Sequence, residues 1–298
     1  MDYILGGGIA GLIISLYYKT FSIIAKGKGQ DREYLGLRVL KKTDAVEEFM
    51  NKFINKGTSK VIVPRVFKSG VWIGNEIRTD KLDKISDTEK LNSNDWSVVK
   101  GVHDIKGYDM VEVYKELVNQ FDIKTRRMFI NIKKISKSKK TISGTNPIHK
   151  RIEIALLYNR LISTLPVVSF NSLVEGEFIK TTNSQVYVCI LESSELASKM
   201  SKIDFVYFPE EKIPYYRITK VGERRFCVES EKVFMPKIDF SFGCKILKVM
   251  QLSFGRILNK IKPINVSNVV HLGRNAICDQ SFGVDKLIKI LEDKEVRI

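Results

Sequence analysis

Apolar and polar positions divide the start of the chain into segments of strand and helix length. Residues 2–5 form a short apolar run that is typical of a buried strand, and residues 9–18 form a longer run that favours a buried helix. Residues 21–25 are again apolar over the length of a strand. The first part of the chain therefore predicts a β–α–β unit.

Apolar residues recur at helical spacing in three later segments. Residues 43–53, 109–121 and 285–291 each place them at positions near i, i+3, i+4 and i+7, which predicts amphipathic helices. Thr43 stands at the start of the first segment, where a hydroxyl side chain favours an N-cap.

The remaining apolar segments predict strands. Residues 60–78 alternate around Ser69 and Gly70, which predicts a hairpin with a turn at these two residues, and several strands are expected within 170–230. Residues 161–166 and 269–273 are typical of buried parallel strands. Parallel-strand patterns thus lie at both ends of the chain and near residue 162.

This order predicts an α/β protein in which a Rossmann-type nucleotide-binding domain is built from separated segments and a mostly antiparallel β domain is inserted between them. We expect the first domain at 1–58, 108–168 and 264–298, and the inserted domain at 59–107 and 169–263.

Glycines mark the junction between the first predicted strand and helix. Gly6, Gly8 and Gly11 give the spacing G-x-G-x-x-G, in which the first glycine permits a tight turn, the second admits a phosphate to the backbone and the third allows close packing. The helix N-terminus favours the negative charge of a pyrophosphate. The context predicts a dinucleotide site; the alternative is a merely tight structural turn.

Composition narrows the class of protein. The chain has 298 residues with 44% hydrophobic and 28% charged positions, which is ordinary for a folded globular protein. The longest apolar run is too short to cross a bilayer, and no secretory signal is evident, so a cytoplasmic location is expected. Four cysteines without a C-x-x-C pair, together with three histidines, predict neither a metal site nor a disulfide framework.

The net charge of +16 raises the question of an anionic partner. Nucleic acid, a nucleotide-linked substrate or an acidic surface would explain it, and so would compositional drift, because Lys, Ile and Asn are all used heavily. The basic residues are densest at 124–140, and a solvated hairpin with charged outer faces explains this patch without any ligand.

Five segments resemble, in the expected order, the flavin-dependent amine oxidase, protoporphyrinogen oxidase and UDP-galactopyranose mutase group. Residues 6–12 (GGGIAGL) resemble its FAD diphosphate turn, and residues 157–166 (LYNRLISTLP) its strand returning to the flavin domain. Residues 214–219 (PYYRIT) are similar to an aromatic-Arg-x-Thr strand, and residues 271–276 (HLGRNA) to a C-terminal Gly-Arg segment. A softer match is the glycine-containing loop at 35–40.

The resemblance implies FAD as the cofactor and a substrate domain in the inserted part. The implied cofactor contacts are Gly6, Gly7, Gly8, Ile9, Ala10, Gly11, Lys26, Arg38, Thr164, Gly273 and Arg274. The implied substrate contacts are Tyr216 and Arg217. Lys26 stands where a Rossmann unit normally carries an acidic ribose ligand. No catalytic side chain is singled out, because the isoalloxazine carries the chemistry in such enzymes, and His271 is interpreted as a packed strand residue.

Three functions follow as hypotheses. The first is an FAD-dependent oxidoreductase that removes a hydride from a small or nucleotide-linked substrate. The second is a UDP-galactopyranose mutase-like flavoenzyme, in which reduced flavin attacks a nucleotide sugar without net oxidation. The third is a basic protein of the same fold that binds or modifies nucleic acid.

Overall fold

The structure, a computed structural model, describes residues 1–25, 39–56, 61–73, 76–79, 104–124, 127–175, 186–208, 213, 215–230, 243–252, 261–279 and 282–293. The first strands along the chain are β1 (Asp2–Leu5), β2 (Ser22–Ala25), β3 (Val39–Lys41), β4 (Arg65–Phe67), β5 (Ser69–Ile73), β6 (Glu76–Arg78), β7 (Ile105–Asp109), β8 (Arg127–Phe129) and β9 (Asn131–Ser136). They are followed by β10 (Thr141–Thr145), β11 (Glu153–Leu157), β12 (Arg160–Ser163), β13 (Val186–Glu192), β14 (Phe205–Tyr207), β15 (Tyr215–Lys220), β16 (Arg225–Ser230), β17 (Lys245–Leu252) and β18 (Val269–His271). The helices of these ranges are α1 (Ile9–Tyr17), α2 (Asp44–Phe49) with a π-helical turn after it (Met50–Ile54), α3 (Met110–Lys124), α4 (Val167–Glu175), α5 (Ser194–Lys199) and α6 (Val284–Glu292).

A parallel sheet joins strands from the two ends and the middle of the chain. Its described order is β18-β12-β1-β2-β8, with Leu161 of β12 opposite both Tyr3 of β1 and Val269 of β18. Ile4 and Ile162 are buried on the face that packs against α1 and α6. This topology confirms the predicted β–α–β unit and the predicted parallel strands near residues 162 and 269.

The opposite face of the parallel sheet is covered by α4 and by a small antiparallel sheet of order β11-β10-β9. Phe170 of α4 is fully buried there together with Leu5, Ile135 and Ile142. The alternating burial along β9 to β11 places one face of this small sheet in the core and the other in solvent.

A larger sheet of order β17-β13-β16-β15-β14-β5-β6 holds a second core around Phe226, Val228 and Ile218. The described pairings are antiparallel, except that β14 and β5 run parallel. The structure is therefore a mixed α/β protein with one parallel sheet and separate sheets that are mostly antiparallel, as predicted. A third small sheet has the order β3-β7-β4.

The predicted hairpin turn at Ser69 and Gly70 is wrong. Both residues lie within β5, whose partners are β14 and β6, whereas β4 pairs with β7 in another sheet. A Cβ on Gly70 would lie 2.5 Å from Cγ2 of Ile77 on β6. This glycine therefore permits close packing inside a strand, which a sequence pattern cannot distinguish from a turn.

The three predicted helices are present. The first begins after Thr43, whose hydroxyl accepts a hydrogen bond from the Val46 N–H at 3.3 Å, and its last turn changes to π geometry. The other two are α3 and α6, each a little longer than predicted. None of the helices in the described ranges combines the length and apolar character that a bilayer crossing requires.

Candidate cofactor site

The candidate site begins at the turn that follows β1. Gly6 has a φ of +107°, which L side chains rarely adopt, and its N–H donates to the Ile24 carbonyl of β2 at 2.9 Å. A Cβ on Gly6 would lie 2.3 Å from Oγ1 of Thr164. Glycine is therefore required here both by the backbone and by the neighbouring strand.

Two further glycines bring α1 and β2 close to this turn. A Cβ on Gly11 would lie 1.9 Å from the Gly6 carbonyl oxygen, so the first turn of α1 packs directly on the strand end. A Cβ on Gly7 would lie 2.9 Å from the Ala25 Cβ at the end of β2. Because these glycines have no side chains, the turn can pack closely against two strand ends and a helix.

The N-terminus of α1 is open to an anion. Gly8 is its N-cap, with extended backbone at φ −78° and ψ −179° and without a side-chain cap, and the first turn carries no acidic residue. The first N–H groups of a helix have no acceptor within the helix, and they carry its positive dipole end. Ile9 and Ala10 present two of these groups, which is the arrangement that binds phosphates.

Thr164 fastens the end of β12 to this turn. Its hydroxyl donates to the Leu5 carbonyl at 2.8 Å, and its backbone N–H donates to the same oxygen at 2.9 Å. The side chain is half-buried beside Gly6. The described contacts of Thr164 are therefore those of a brace for the glycine turn, and its contact with a cofactor stays a prediction.

The C-terminal glycine approaches the same helix from the other side. Gly273 follows β18 and has a φ of +104°, and a Cβ on it would lie 3.2 Å from the Ala10 Cβ. The neighbouring Leu272 N–H donates to the Ser163 carbonyl at 3.0 Å, which holds the segment to β12. Arg274 comes next, half-buried. Segments more than 250 residues apart in the sequence thus meet at the N-terminus of α1.

Buried polar groups lie behind this junction, on the face covered by α4. The Ser163 hydroxyl, both ring nitrogens of His271 and Oδ1 of Asn275 are buried without a hydrogen-bond partner among the described residues. The His271 ring packs edge-on against Phe170 at a centroid distance of 4.5 Å. Burial lowers the pKa of His271 to about 4, so the ring is neutral near pH 7 and packs as a strand residue, as predicted.

The predicted substrate contacts lie in the seven-stranded sheet. Tyr216 and Arg217 belong to β15, where the pairing with β16 is interrupted by a bulge between Tyr215 and Arg217. Arg217 lies opposite Glu229 and forms an ion pair with it. The Glu229 side chain is 2% exposed and that of Arg217 is 15% exposed, so the pair is buried.

Sequence reasoning did not identify Glu229 as a functional residue. The signal available was a charged residue directly after the apolar run FCV within residues 225–230 (RFCVES). Only the register of β15 against β16 shows that this charge faces Arg217. The buried hydroxyl of Thr219 on the same strand also has no hydrogen-bond partner among the described residues.

The structure therefore brings together one group of the predicted residues and separates another from it. The turn from Gly6 to Gly11, Thr164 and Gly273 form one junction, while Tyr216 and Arg217 belong to a different sheet. Lys26 and Arg38 lie outside the described residues. Within the described ranges, no cluster of three or more His, Cys, Asp or Glu side chains could hold a metal ion.

Comparison with protein-family models and with curated protein sequences finds no match. Comparison with solved structures finds a reduced UDP-galactopyranose mutase, with 12% identity, a TM-score of 0.57, and coverage of 97% of this chain and 93% of that one. The PF1083 protein from Pyrococcus furiosus has 11% identity, a TM-score of 0.56, and coverage of 98% and 96%. The rebeccamycin biosynthetic enzyme RebC with reduced flavin has 10% identity, a TM-score of 0.54, and coverage of 92% and 55%.

These similarities concern the fold, because the identities are low. The match to the mutase runs over nearly the full length of both chains, whereas this chain spans about half the length of RebC. The predicted resemblance to the UDP-galactopyranose mutase group is therefore confirmed at the level of the fold. The chain shares the fold of the mutase structure over nearly its whole length.

Proposed function

We propose that this chain is an FAD-dependent flavoenzyme that binds the FAD diphosphate between the glycine turn after β1 and Gly273. The observation that carries the proposal is the approach of Gly273 to Ala10, because it places two glycine-lined segments on either side of one helix N-terminus. The RebC structure of the same fold is described with reduced flavin, which supports FAD here. When bound, FAD supplies hydride and electron transfer through its isoalloxazine ring.

The residues of the junction fit a diphosphate in their size and charge. The absence of a side chain at Gly8 lets the phosphate oxygens approach the backbone N–H groups of the first turn of α1, and the dipole of this helix favours their negative charge. Arg274, at the end of β18, would add a positive charge. Lys26 follows β2 in the sequence. Its ammonium group would either pair with a phosphate or make no contact with the ribose, which other groups would then hold.

We infer that the reaction is hydride removal from a small or nucleotide-linked substrate. The seven-stranded sheet, with its buried charged pair, belongs to the proposed substrate domain at 59–107 and 169–263, and the parallel sheet to the FAD domain. Tyr216 and Arg217 would contact the substrate from β15. To bind an anionic group of the substrate, Arg217 must either keep its ion pair with Glu229 and bind the substrate as well, or break that ion pair.

A second candidate function is the rearrangement of a nucleotide-linked sugar without net oxidation. It is favoured by the extent of the structural match, since the UDP-galactopyranose mutase is covered over 93% of its length and RebC over only 55%. The two candidates share the FAD site and differ in their requirement for reducing conditions. Turnover that needs prior reduction of the flavin, and that returns no electrons to an acceptor, would select the rearrangement.

The cofactor site is tested by the visible absorbance spectrum of the purified protein and of a Gly8→Val variant. The backbone at Gly8 is extended, a conformation that valine adopts readily, so the variant should fold. We expect the wild-type protein to carry bound flavin and the variant to lose it, because the added side chain blocks the approach of the phosphates.

Gly243→Val is the matched control, because a Cβ at that position would meet no atom within 4 Å. It should retain flavin, and circular dichroism should show that all three proteins are folded. A Gly8→Val protein that retains full flavin would refute the site, and a wild-type protein that is colourless and cannot be reconstituted with FAD would refute the proposed function.

A further inference from the structure

The small antiparallel sheet of β9, β10 and β11 has an outer face that faces solvent. Ile135 and Ile142 point inward and are fully buried beneath it. On the outer face, Ser143 of β10 lies opposite Lys134 of β9 and Ala155 of β11, and none of these three residues is buried. The outer face is therefore free of the packing that determines the inner one.

Basic side chains lie on β9 and, in larger number, in the two connections at the ends of this sheet. The exposed cations of this region are Lys133, Lys134, Lys137, Lys139, Lys140, Lys150 and Arg151, which we call the basic sheet face. Between residues 131 and 157 the sequence contains a single acidic residue, Glu153. Within the described ranges, no carboxylate forms an ion pair with any of these cations. The charge of this face is thus uncompensated within the described chain.

An aliphatic side chain stands at the tip of the connection between β10 and β11. Ile148 is 83% exposed, the highest value among the large apolar side chains in the described ranges. The tip is ordered by Asn146, whose Oδ1 accepts from the N–H groups of Ile148 at 2.9 Å and His149 at 3.0 Å. These hydrogen bonds order the backbone of the loop, and the side chain of Ile148 faces solvent.

Two more aliphatic side chains are exposed around the same face. Ile152 is 52% exposed and Leu157 is 70% exposed, at opposite ends of β11. Residues 131–157 contain no Phe, Tyr or Trp, so the stacking groups that bind single-stranded nucleic acid are missing from this segment. Exposed aliphatic groups beside lysines instead suit a bilayer, whose head groups are anionic and whose interior is apolar.

We propose that the basic sheet face docks on an anionic lipid bilayer, with its lysines at the head groups and Ile148 inserted between them. Each lysine near an anionic membrane surface adds attraction that decays within a Debye length, and an exposed aliphatic side chain gains free energy when it leaves water. Duplex nucleic acid, which is bound through phosphates, is the competing partner for the same charge.

Vesicle co-sedimentation tests this proposal with the full-length protein. We expect binding to vesicles of equal parts phosphatidylcholine and phosphatidylserine, weakening with added salt, and no binding to phosphatidylcholine alone. Replacing Lys137, Lys139 and Lys140 by serine should reduce the partition coefficient about a hundredfold, which corresponds to about 1 kcal/mol for each lysine. Replacing the exposed Lys202, Lys245 and Lys289 by serine removes the same charge elsewhere and should reduce it far less.

Ile148→Ser separates the membrane from nucleic acid. The variant should bind the anionic vesicles about tenfold less tightly, because an aliphatic contact is lost, and any binding to a duplex DNA should be unchanged. Wild-type protein that prefers the duplex, and whose vesicle binding is insensitive to both the lysine and Ile148 changes, would overturn the proposal. Flavin retention is measured on the same samples, and its loss would bear on the FAD site alone.

Discussion

The junction at α1 and the charged pair in the seven-stranded sheet are two polar sites built in opposite ways. At the junction, Gly6, Gly11 and Gly273 allow close packing around the uncapped N-terminus of α1 and provide no charged side chain of their own. In the sheet, the charge of Arg217 is met by Glu229 within the same protein. The first arrangement can receive an anion without losing an internal partner, whereas the second must exchange one.

This difference determines how each site should respond to substitution. A site defined by absent side chains is sensitive to volume, because every added atom meets backbone or a neighbouring strand. A site defined by a buried charged pair is sensitive to charge, because removal of one partner leaves the other without compensation. Changes of size at the junction and of charge in the sheet should therefore give the largest effects.

The largest effect is expected for Gly11→Ala. The new Cβ would lie 1.9 Å from the Gly6 carbonyl oxygen, a contact that only movement of α1 or of the turn can relieve. We expect the free energy of unfolding to fall by about 4 kcal/mol, more than the ~1–3 kcal/mol that overpacking typically costs, because the new contact is with backbone. Urea denaturation followed by circular dichroism measures this change.

Gly243→Ala is the control, since a Cβ there has open space around it. Its free energy of unfolding should stay within about 0.5 kcal/mol of the wild-type value or rise slightly, because alanine restricts the unfolded chain. Equal losses in the two variants would mean that the tight contact at Gly11 does not hold the junction together.

The junction could be predicted from the sequence because most of its structure is local. Gly6, Gly8 and Gly11 lie within six consecutive residues, and the backbone demands of a strand, a turn and a helix act on neighbours in the chain. The role of Gly273 is not local, and it was predicted from the order of segments shared with a known group. The approach of Gly273 to Ala10 is consistent with that order.

The charged pair could not be predicted, because it depends on register. A shift of β16 by one residue relative to β15 would place Val228 or Ser230 rather than Glu229 opposite Arg217, and the bulge after Tyr215 changes the register locally. The prediction of a turn at Gly70 was wrong for a related reason, since the residue that packs closely against it, Ile77, lies on another strand. Contacts between strands depend on tertiary packing. The pattern of apolar and polar residues in one sequence carries little information about that packing.

The second effect concerns Glu229→Gln, which removes the carboxylate charge at nearly constant volume. The largely buried guanidinium of Arg217 would lose the charge of Glu229, and we expect a loss of about 3 kcal/mol in the free energy of unfolding. The double variant Arg217→Met with Glu229→Gln should recover most of this loss. A double-mutant cycle from urea denaturation gives the coupling energy.

The pair of Arg225 and Glu192 is the matched control in the same sheet. Its side chains are 61% and 36% exposed, and the two atoms nearest to each other are 3.0 Å apart. An exposed pair contributes only about 0.2–1 kcal/mol, so Glu192→Gln should have a small effect. A coupling energy for Arg217 and Glu229 as small as that of the exposed pair would show that burial does not strengthen it, and the contrast between the two sites would disappear.

The smallest of the three effects is the pH dependence contributed by His271, which lies beneath the junction. Burial lowers its pKa from 6.5 to about 4, so below pH 6.5 the unfolded chain binds a proton that the folded chain does not. The stability that His271 contributes is therefore complete above pH 6.5 and is lost as the pH falls toward about 4. At about 1.36 kcal/mol per pKa unit, the shift from 6.5 to about 4 corresponds to about 3 kcal/mol in total. Because the ring is only partly buried, we expect a smaller loss of about 2 kcal/mol.

Urea denaturation at a series of pH values should show this decline in the wild-type protein and a shallower one in His271→Gln, whose side chain does not titrate. Parallel curves for the two proteins would mean that His271 is protonated in the folded chain at the same pH as in the unfolded chain. The face of the parallel sheet behind the junction would then accept a positive charge, as the glycine-lined side is proposed to accept a negative one.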